Sequence, residues 1–378
     1  MNVILDAVLL RRRLTGIGHY IRRLAEGLER HPDVSRVRYF FTFRFGSSIP
    51  AARTDGKWEP MRNSARELPF VGPLYGAARG ICFRALSAWG GAAVYHEPNY
   101  LLLPYSGPTV ATIHDLSYLH YPQYHPIERV RRLERGLPRT MARAGHLVTD
   151  SEFVRSEIVS RFGVAPGRVT AIPLGVEPNF HPRTMEECGA VLRRYGLEGG
   201  RYLLSVSALE PRKNLEGLVD AYSRLPSEIR KRFPLVLTGP KGWLSESLEE
   251  RVAPLARSGE VIQTGFVSAE DLPFLYSASA GFASPSFYEG FGLPVLEAMA
   301  SGTPVMTSDR GSLPEVAGDV GLLVDPEDVP AMTAGLERLL TDETFRERAR
   351  REGPRRAAGF TWEKCVDRTV GVYRRVMK

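Results

Sequence analysis

The sequence predicts an α/β protein built from two parallel sheets, each covered on both faces by helices. Three observations carry this. The chain has 378 residues, too many for one ordinary core and enough for two α/β halves. Hydrophobic residues make up 43% and charged residues 25%, the balance of a globular chain. Short apolar runs rich in Val, Ile and Leu alternate with stretches of helical period, the pattern of strands buried on both faces between crossover helices.

Taken in order, the first half offers strands at Val3–Val8, Val37–Phe43, Ala93–His96, Thr109–His114, His146–Thr149 and Val169–Ile172. Helical stretches are predicted at Gly18–Glu29, Ile127–Ala144 and Glu152–Phe162, with Ser151 as the N-cap of the last. Residues 46–80 carry little pattern and many Gly, Pro and Arg residues, and are expected to form a mobile segment or an ordinary loop with a short helix. The stretch Pro173–Phe180 reads as a hinge. In the second half, strands are predicted at Tyr202–Val206, Leu235–Thr238, Val261–Thr264, Ala280–Ala283, Pro304–Thr307 and Gly321–Val324. Thr361-Trp362-Glu363 opens a final helix.

Several classes are excluded. No run of eighteen or more apolar residues exists, so no membrane-spanning helix is expected. A charged segment before an apolar core is missing at the N-terminus, so no signal peptide is expected. The three cysteines, Cys82, Cys188 and Cys365, have no metal-ligand spacing and fit free thiols in a reducing cytoplasm. Charge is uneven: residues 1–178 hold 24 Lys and Arg against 15 Asp and Glu, the remainder 26 against 28. A basic half fits an anionic partner such as a lipid headgroup or lipid-linked pyrophosphate, and fits equally a solvated face. Nucleic acid is not expected, since no motif accompanies the basic pI.

The most informative stretch runs from Ser284 to Met299. Two carboxylates, Glu289 and Glu297, stand eight positions apart. The first lies in a loop with Gly290 and Gly292, where main-chain N–H groups can approach a ligand. The second is placed in the first turn of a helix that Pro294 starts and Gly302 stops. A helix N-terminus attracts anions. Glu289 can bond sugar hydroxyls, and Glu297 can accept from the two hydroxyls of a ribose. Sugar, phosphate and ribose in a row make a nucleotide sugar. Upstream, Ser205–Leu215 reads as a strand, a turn and a helix, with Arg212 and Lys213 at the turn suited to a diphosphate. Neither an Asp-x-Asp, nor a Walker motif, nor a Gly-x-Ser-x-Gly elbow occurs.

The segment Glu289-Gly-Phe-Gly-Leu-Pro-Val-Leu-Glu297-Ala-Met-Ala-Ser-Gly-Thr-Pro-Val resembles the E-x7-E motif of retaining glycosyltransferases of family 4, whose fold is GT-B. The resemblance is strong from about Ser205 to Asp325 and thin over residues 30–90. It implies two Rossmann-like domains facing a central cleft: an acceptor-side domain over residues 1–176, a nucleotide-sugar domain over 177–360, and a C-terminal helix, 361–378, crossing back to the first. It implies that Lys213 faces the diphosphate. The family's usual arginine position is occupied by Ala208, so Arg212 serves only if it reaches the same phosphates from a displaced place. Gly290, Phe291, Gly292 and Leu293 are implied to hold the sugar with Glu289, and Glu297 the ribose. Val267, in Thr264-Gly265-Phe266-Val267, is implied to lie by the nucleobase, and Gly239, after the strand Leu235–Thr238, is a candidate donor-binding residue. His114 is implied to contact the sugar, Asp115 to orient sugar or acceptor, and Gly16 and Gly18 to line the cleft.

Glu210-Pro-Arg-Lys-Asn214 resembles the bacterial polysaccharide mannosyltransferase branch. The implied activity is retaining transfer of mannose from GDP-mannose to a growing glycan or lipid-linked sugar in surface polysaccharide (O-antigen) synthesis. A metal-independent enzyme without other cofactor is expected, in the cytoplasm or peripheral on the inner membrane face. The alternatives are another donor, UDP-glucose or UDP-GlcNAc, and a non-catalytic sugar-nucleotide-binding protein of the same fold.

Overall fold

A computed structural model of the chain describes residues 1–11, 16–51, 71–88, 91–240, 242 and 246–378. The chain divides into two compact units, Met1–Gly175 with Trp362–Lys378, and Val176–Thr361.

The first unit holds seven strands: β1 (Asn2–Asp6), β2 (Arg36–Phe41), β3 (Arg44–Gly46), β4 (Val94–Glu97), β5 (Thr109–Ile113), β6 (His146–Thr149) and β7 (Val169–Ala171). Their order is β3-β2-β1-β4-β5-β6-β7. All pairs are parallel except β2 with β3. Strand order reverses between β1 and β4. Residues such as Ile4, Phe40, Tyr95, Ala111, Ile113 and Leu147 are wholly buried and form one core with Val130, Leu133, Leu137 and Met141 of the helix Ile127–Arg143. That helix therefore packs an apolar stripe inward and turns Arg131, Arg132, Arg135, Arg139 and Arg143 to the surface.

The C-terminal helix Trp362–Val376 belongs to this same unit. Tyr373 Oη lies 2.6 Å from His96 Nδ1, whose Nε2 lies 2.8 Å from Thr112 Oγ1. Tyr20 Oη meets the same threonine at 3.0 Å. Burial lowers the His96 pKa to about 3, so its imidazole is neutral within this chain of hydrogen bonds.

The second unit holds six parallel strands: β8 (Leu203–Val206), β9 (Leu235–Thr238), β10 (Val261–Gly265), β11 (Gly281–Ser284), β12 (Val305–Ser308) and β13 (Leu322–Val324). Their order, β10-β9-β8-β11-β12-β13, reverses between β8 and β11. Capping side chains fix the helices here: Thr184 and Glu187 form a reciprocal capping box, and Asp328 and Asp342 accept from Ala331 and Phe345 N–H.

Some expectations change. β1 stops at Asp6, because the Asp6 carboxylate accepts the Val8 N–H and opens a 3-10 turn over Val8–Arg11. The weakly patterned stretch 46–80 meets a 17-residue helix, Val71–Ser87, and the antiparallel β3 just before it; its part 52–70 lies outside the described residues. Ile127, at the start of the helix Ile127–Arg143, is 58% exposed. Ser151 caps Glu152–Phe162 as expected, accepting from Val154 N–H.

Candidate active site

The main cluster is built by the two strands that flank the reversal of order in the second sheet, the place where open α/β sheets bind ligands beyond their carboxyl ends. After β8, the chain makes a 3-10 turn over Pro211–Lys213 and passes Asn214 in the left-handed region at φ 54°. The Asn214 amide anchors this turn by donating to the Pro326 carbonyl at 2.7 Å. After β11 comes the loop that carries Glu289. Lys213 Nζ donates to Glu289 Oε1 at 2.5 Å, and Arg212 donates to Oε2 at 3.0 Å and to the Tyr288 carbonyl at 2.6 Å. Ser286 Oγ, fully buried, donates to Oε1 at 2.9 Å.

Burial alone would raise the Glu289 pKa, but the charges of Lys213 and Arg212 dominate and hold it down to about 2. The carboxylate is thus ionised and shared by two cations. Arg212 reaches the same carboxylate as Lys213, although Ala208 stands at the usual arginine place.

Glycine is required where β9 ends. Gly239 has φ 146°, and a Cβ there would come within 1.8 Å of the Ser207 carbonyl. The Gly239 N–H donates to Gly265 O at 2.9 Å, tying the turns after β9 and β10 together. Val267, beyond that turn, is 5% exposed. Lys241, two residues after Gly239, lies outside the described residues.

Glycine is required again at Gly292, φ 111°, which caps the helix Leu293–Ala300. Pro294 takes the second helical position, so the helix begins at Leu293 and Glu297 falls in the second turn rather than the first. Ser301, Gly302 and Thr303 end it with the expected paired bonds, Gly302 N–H to Met299 O and Thr303 N–H to Ala298 O. Ser312 Oγ donates to the carbonyls of Glu289 and Phe291 at 2.9 and 2.8 Å, fixing the loop through Gly290. Glu297 accepts from Tyr276 Oη at 3.1 Å. Burial, with the charge of Glu177 adding to it, raises its pKa to about 8 against the Tyr276 bond, so it carries a proton at neutral pH.

In the first unit, His114 follows β5 and is 6% exposed. Its Nδ1 lies 2.7 Å from Asp150 Oδ2 and its Nε2 lies 2.8 Å from the Pro98 carbonyl. Both partners accept, so both ring nitrogens carry hydrogen. Burial opposes this charge, and Asp150 restores it, raising the His114 pKa. The Tyr20 ring stands edge-on to His114 at 5.1 Å, one turn into the helix Gly16–Arg30, whose first turn contains Gly16 and Gly18. Asp115 accepts from Ser117 N–H and Oγ at 3.1 and 2.7 Å and so shapes the turn after His114.

Sequence reasoning missed Asp150, Ser286 and Tyr276. Asp150 stands just after β6, beside the strand that carries His114, and a carboxylate at that place was the available signal. Among the described residues no group of three or more His, Cys, Asp and Glu side chains could hold a metal ion. No described helix is long and apolar enough to cross a membrane.

Two doubly wound sheets, with a cationic turn and a carboxylate loop meeting where strand order reverses, define a sugar-transferring enzyme of the GT-B kind. Residues 193–356 match the family model "Glycosyl transferases group 1", and residues 14–180 match "Glycosyltransferase Family 4". Over 99% of this chain and the whole of the relative, the chain is 38% identical to O-antigen chain mannosyltransferase B of Escherichia coli. It is 31% identical to the serotype-specific mannosyltransferase WbdA of Escherichia coli over 71% of this chain, which spans 34% of that longer protein. Among solved structures, sucrose-phosphate synthase from Thermosynechococcus elongatus superposes with a TM-score of 0.76 at 22% identity, covering 100% of this chain and 99% of that one. The chain belongs to the group 1 glycosyltransferases, with a family 4 glycosyltransferase segment in its first half.

Proposed function

We propose that the protein is a retaining mannosyltransferase of surface polysaccharide synthesis that takes mannose from GDP-mannose. The full-length likeness to an O-antigen mannosyltransferase supports the transfer of mannose. The observation that carries the mechanism is the Lys213–Glu289–Arg212 cluster at the reversal point of the second sheet.

In this reading the donor diphosphate takes over the two cations that Glu289 now neutralises. Lys213 and Arg212 then balance the charge that grows on the leaving nucleoside diphosphate, with groups already in place. Glu289, released from them in part, accepts from hydroxyls of the hexose. The N–H groups of Phe291, Gly292 and Leu293, at a helix start whose preceding carbonyls are held by Ser312, add donors for the sugar and phosphate. Glu297 accepts from the ribose hydroxyls, the main chain at Val267 borders the base, and Gly239 contributes to donor binding. His114 meets a sugar hydroxyl by moving its Nε2–H from the Pro98 carbonyl, while Asp150 keeps the ring charged. Asp115 orients the sugar or the acceptor, and Gly16 and Gly18 at the start of the Gly16–Arg30 helix contribute to donor binding. No covalent nucleophile is assigned; the leaving phosphate assists displacement on the same face. The acceptor is a growing glycan or lipid-linked sugar, reached from the cytoplasm by peripheral contact of the arginine face of Ile127–Arg143 with an anionic leaflet.

The test is a thermal-shift screen of GDP-mannose, GDP-glucose, UDP-glucose and UDP-GlcNAc, followed by transfer assays on mannosyl acceptors. A bound ligand raises the melting temperature in step with its affinity. Stabilisation by a uridine donor and not by GDP-mannose would refute the donor assignment.

A further inference from the structure

The far end of the first sheet holds a basic cavity that the reaction above leaves unused. β5, β6 and β7 begin there, at Thr109, His146 and Val169, and the helices Ile127–Arg143 and Trp362–Val376 end there. The cavity measures about 550 Å³ and is lined by Arg143, Arg168, Arg375 and His146. No Asp or Glu lines it. Among the described residues none of the three arginines forms an ion pair, whereas the neighbouring Arg374 is paired with Asp33.

Each cation has a local reason to exist. Helix C-termini attract arginine, and Arg168 uses one amino group to cap the carbonyls of Met141 and Ala144, at 3.0 and 2.5 Å. Those reasons do not account for three arginines lining one cavity beside His146. His146 is 4% exposed, with Nε2 2.8 Å from Thr170 Oγ1. Burial first, then the charges of Arg375 and Arg168, hold its pKa down to about 4. The imidazole is therefore neutral, and the cavity it lines gathers three arginines with no carboxylate among the lining residues. Like charges held together cost energy that a bound anion recovers.

The volume lies within the range of small-molecule sites, roughly 300–1,000 Å³, and exceeds what a lone phosphate fills. Guanidinium forks match phosphate oxygens in pairs. We propose that this cavity is a second anion site, distinct from the donor site, that binds the phosphoryl group of a phosphorylated small molecule or lipid headgroup. It is a binding site and takes no part in the transfer step.

The experiment uses the full chain and inorganic phosphate, read by the NMR signals of the His146 ring. Phosphate should move these signals saturably in the wild-type protein and raise the pH at which His146 titrates. The double variant Arg143→Gln/Arg375→Gln should bind phosphate at least about tenfold more weakly, the loss expected for one charge-assisted contact. GDP binding by that variant should be unchanged, which shows that it is folded. Lys213→Ala should leave the His146 response intact. A second arm compares co-sedimentation with phosphatidylglycerol and phosphatidylcholine vesicles, using Arg193→Gln/Arg224→Gln, two exposed arginines of the second unit, as a control of equal charge outside the cavity. Loss of the phosphatidylglycerol preference in the cavity variant alone assigns the site to a lipid headgroup. Loss of the phosphate response with vesicle binding kept assigns it to a free phosphorylated molecule. His146 signals that do not respond to phosphate, or a response equally strong in the cavity variant, overturn the proposal.

Discussion

Replacing Glu297 by Gln should make the protein more stable and a poorer nucleotide binder at once. Glu297 titrates near 8 in the fold instead of the ordinary 4.5, chiefly because it is buried. Between these values the folded state keeps a proton that the unfolded chain has released. Stability therefore falls as pH rises through that window, since the folded state binds more protons. At pH 7 the window crossed is about 2.5 pH steps, each worth about 1.4 kcal/mol, for a cost of about 3 kcal/mol. Partial solvent exposure of the side chain reduces this to about 2 kcal/mol. Gln cannot ionise and still offers Tyr276 an acceptor, so Glu297→Gln should raise the melting temperature of the second unit by roughly 4–8 °C at pH 7. The gain should vanish near pH 4.5. Ribose hydroxyls, by contrast, favour the ionised carboxylate. GDP binding should then expel a proton, and its affinity should rise with pH up to about 8 and be weaker by about tenfold or more in Glu297→Gln. Calorimetry of GDP in buffers of different ionisation enthalpy, with melting curves from pH 4.5 to 9, reads both effects. A variant no more stable than wild type at pH 7, together with GDP binding that releases no proton, would refute the reasoning.

Lys213→Ala should lower kcat by roughly 10²-fold or more with little change in stability, because in the proposed role its charge acts on the departing diphosphate; near-normal turnover of folded protein would remove that role. Arg212→Ala measured beside it decides whether the displaced arginine shares the task. Glu289→Gln should leave GDP affinity equal or higher, since it frees two cations, while sugar transfer falls; a parallel loss of GDP affinity would contradict the separate roles of the two carboxylates. The same cluster supplies an acid limit, because a carboxylate held near 2 stabilises the fold above its ordinary 4.5 and ceases to do so as pH falls towards 2. Turnover should survive excess EDTA, as in the proposed site protein cations face the phosphates, and rescue of an EDTA-killed enzyme by Mg²⁺ or Mn²⁺ would disprove it. Gln at Arg131, Arg132 and Arg135 should weaken salt-sensitive binding to anionic vesicles; no preference for such vesicles at low salt in the wild type leaves the arginines a solvated face.

Both sheets were readable because their strands are continuous apolar runs, and buried parallel strands can be little else. His146–Thr149 and Leu235–Thr238 match their predicted limits to the residue. The Glu289–Glu297 segment was readable because its glycines, proline and carboxylates serve one loop and one helix start, all local in sequence. What depends on distant segments meeting was not readable. Asp150 matters because β5 and β6 are neighbours, a fact of strand pairing and not of spacing. Tyr276 lies 21 positions from the carboxyl group it bonds. The helix Val71–Ser87 escaped because its glycines and proline read as breakers and its apolar residues follow no clear stripe; Leu74 and Ile81 are each 71% exposed.

The last helix of the chain has a consequence for how the protein comes into being. The first unit is written in two pieces, with the whole of the second unit between them. During synthesis, the pocket around His96, Tyr20 and Thr112 emerges early but stays unfilled until Tyr373 arrives, and Gly27 waits for Val366, which occupies the space where a side chain at position 27 would go. The second unit can fold while the first is still incomplete. A ribosome that stops short of residue 362 would release a finished second unit joined to an open, aggregation-prone first one. The order of completion thus runs opposite to the order of translation, and the final helix closes the unit that began the chain.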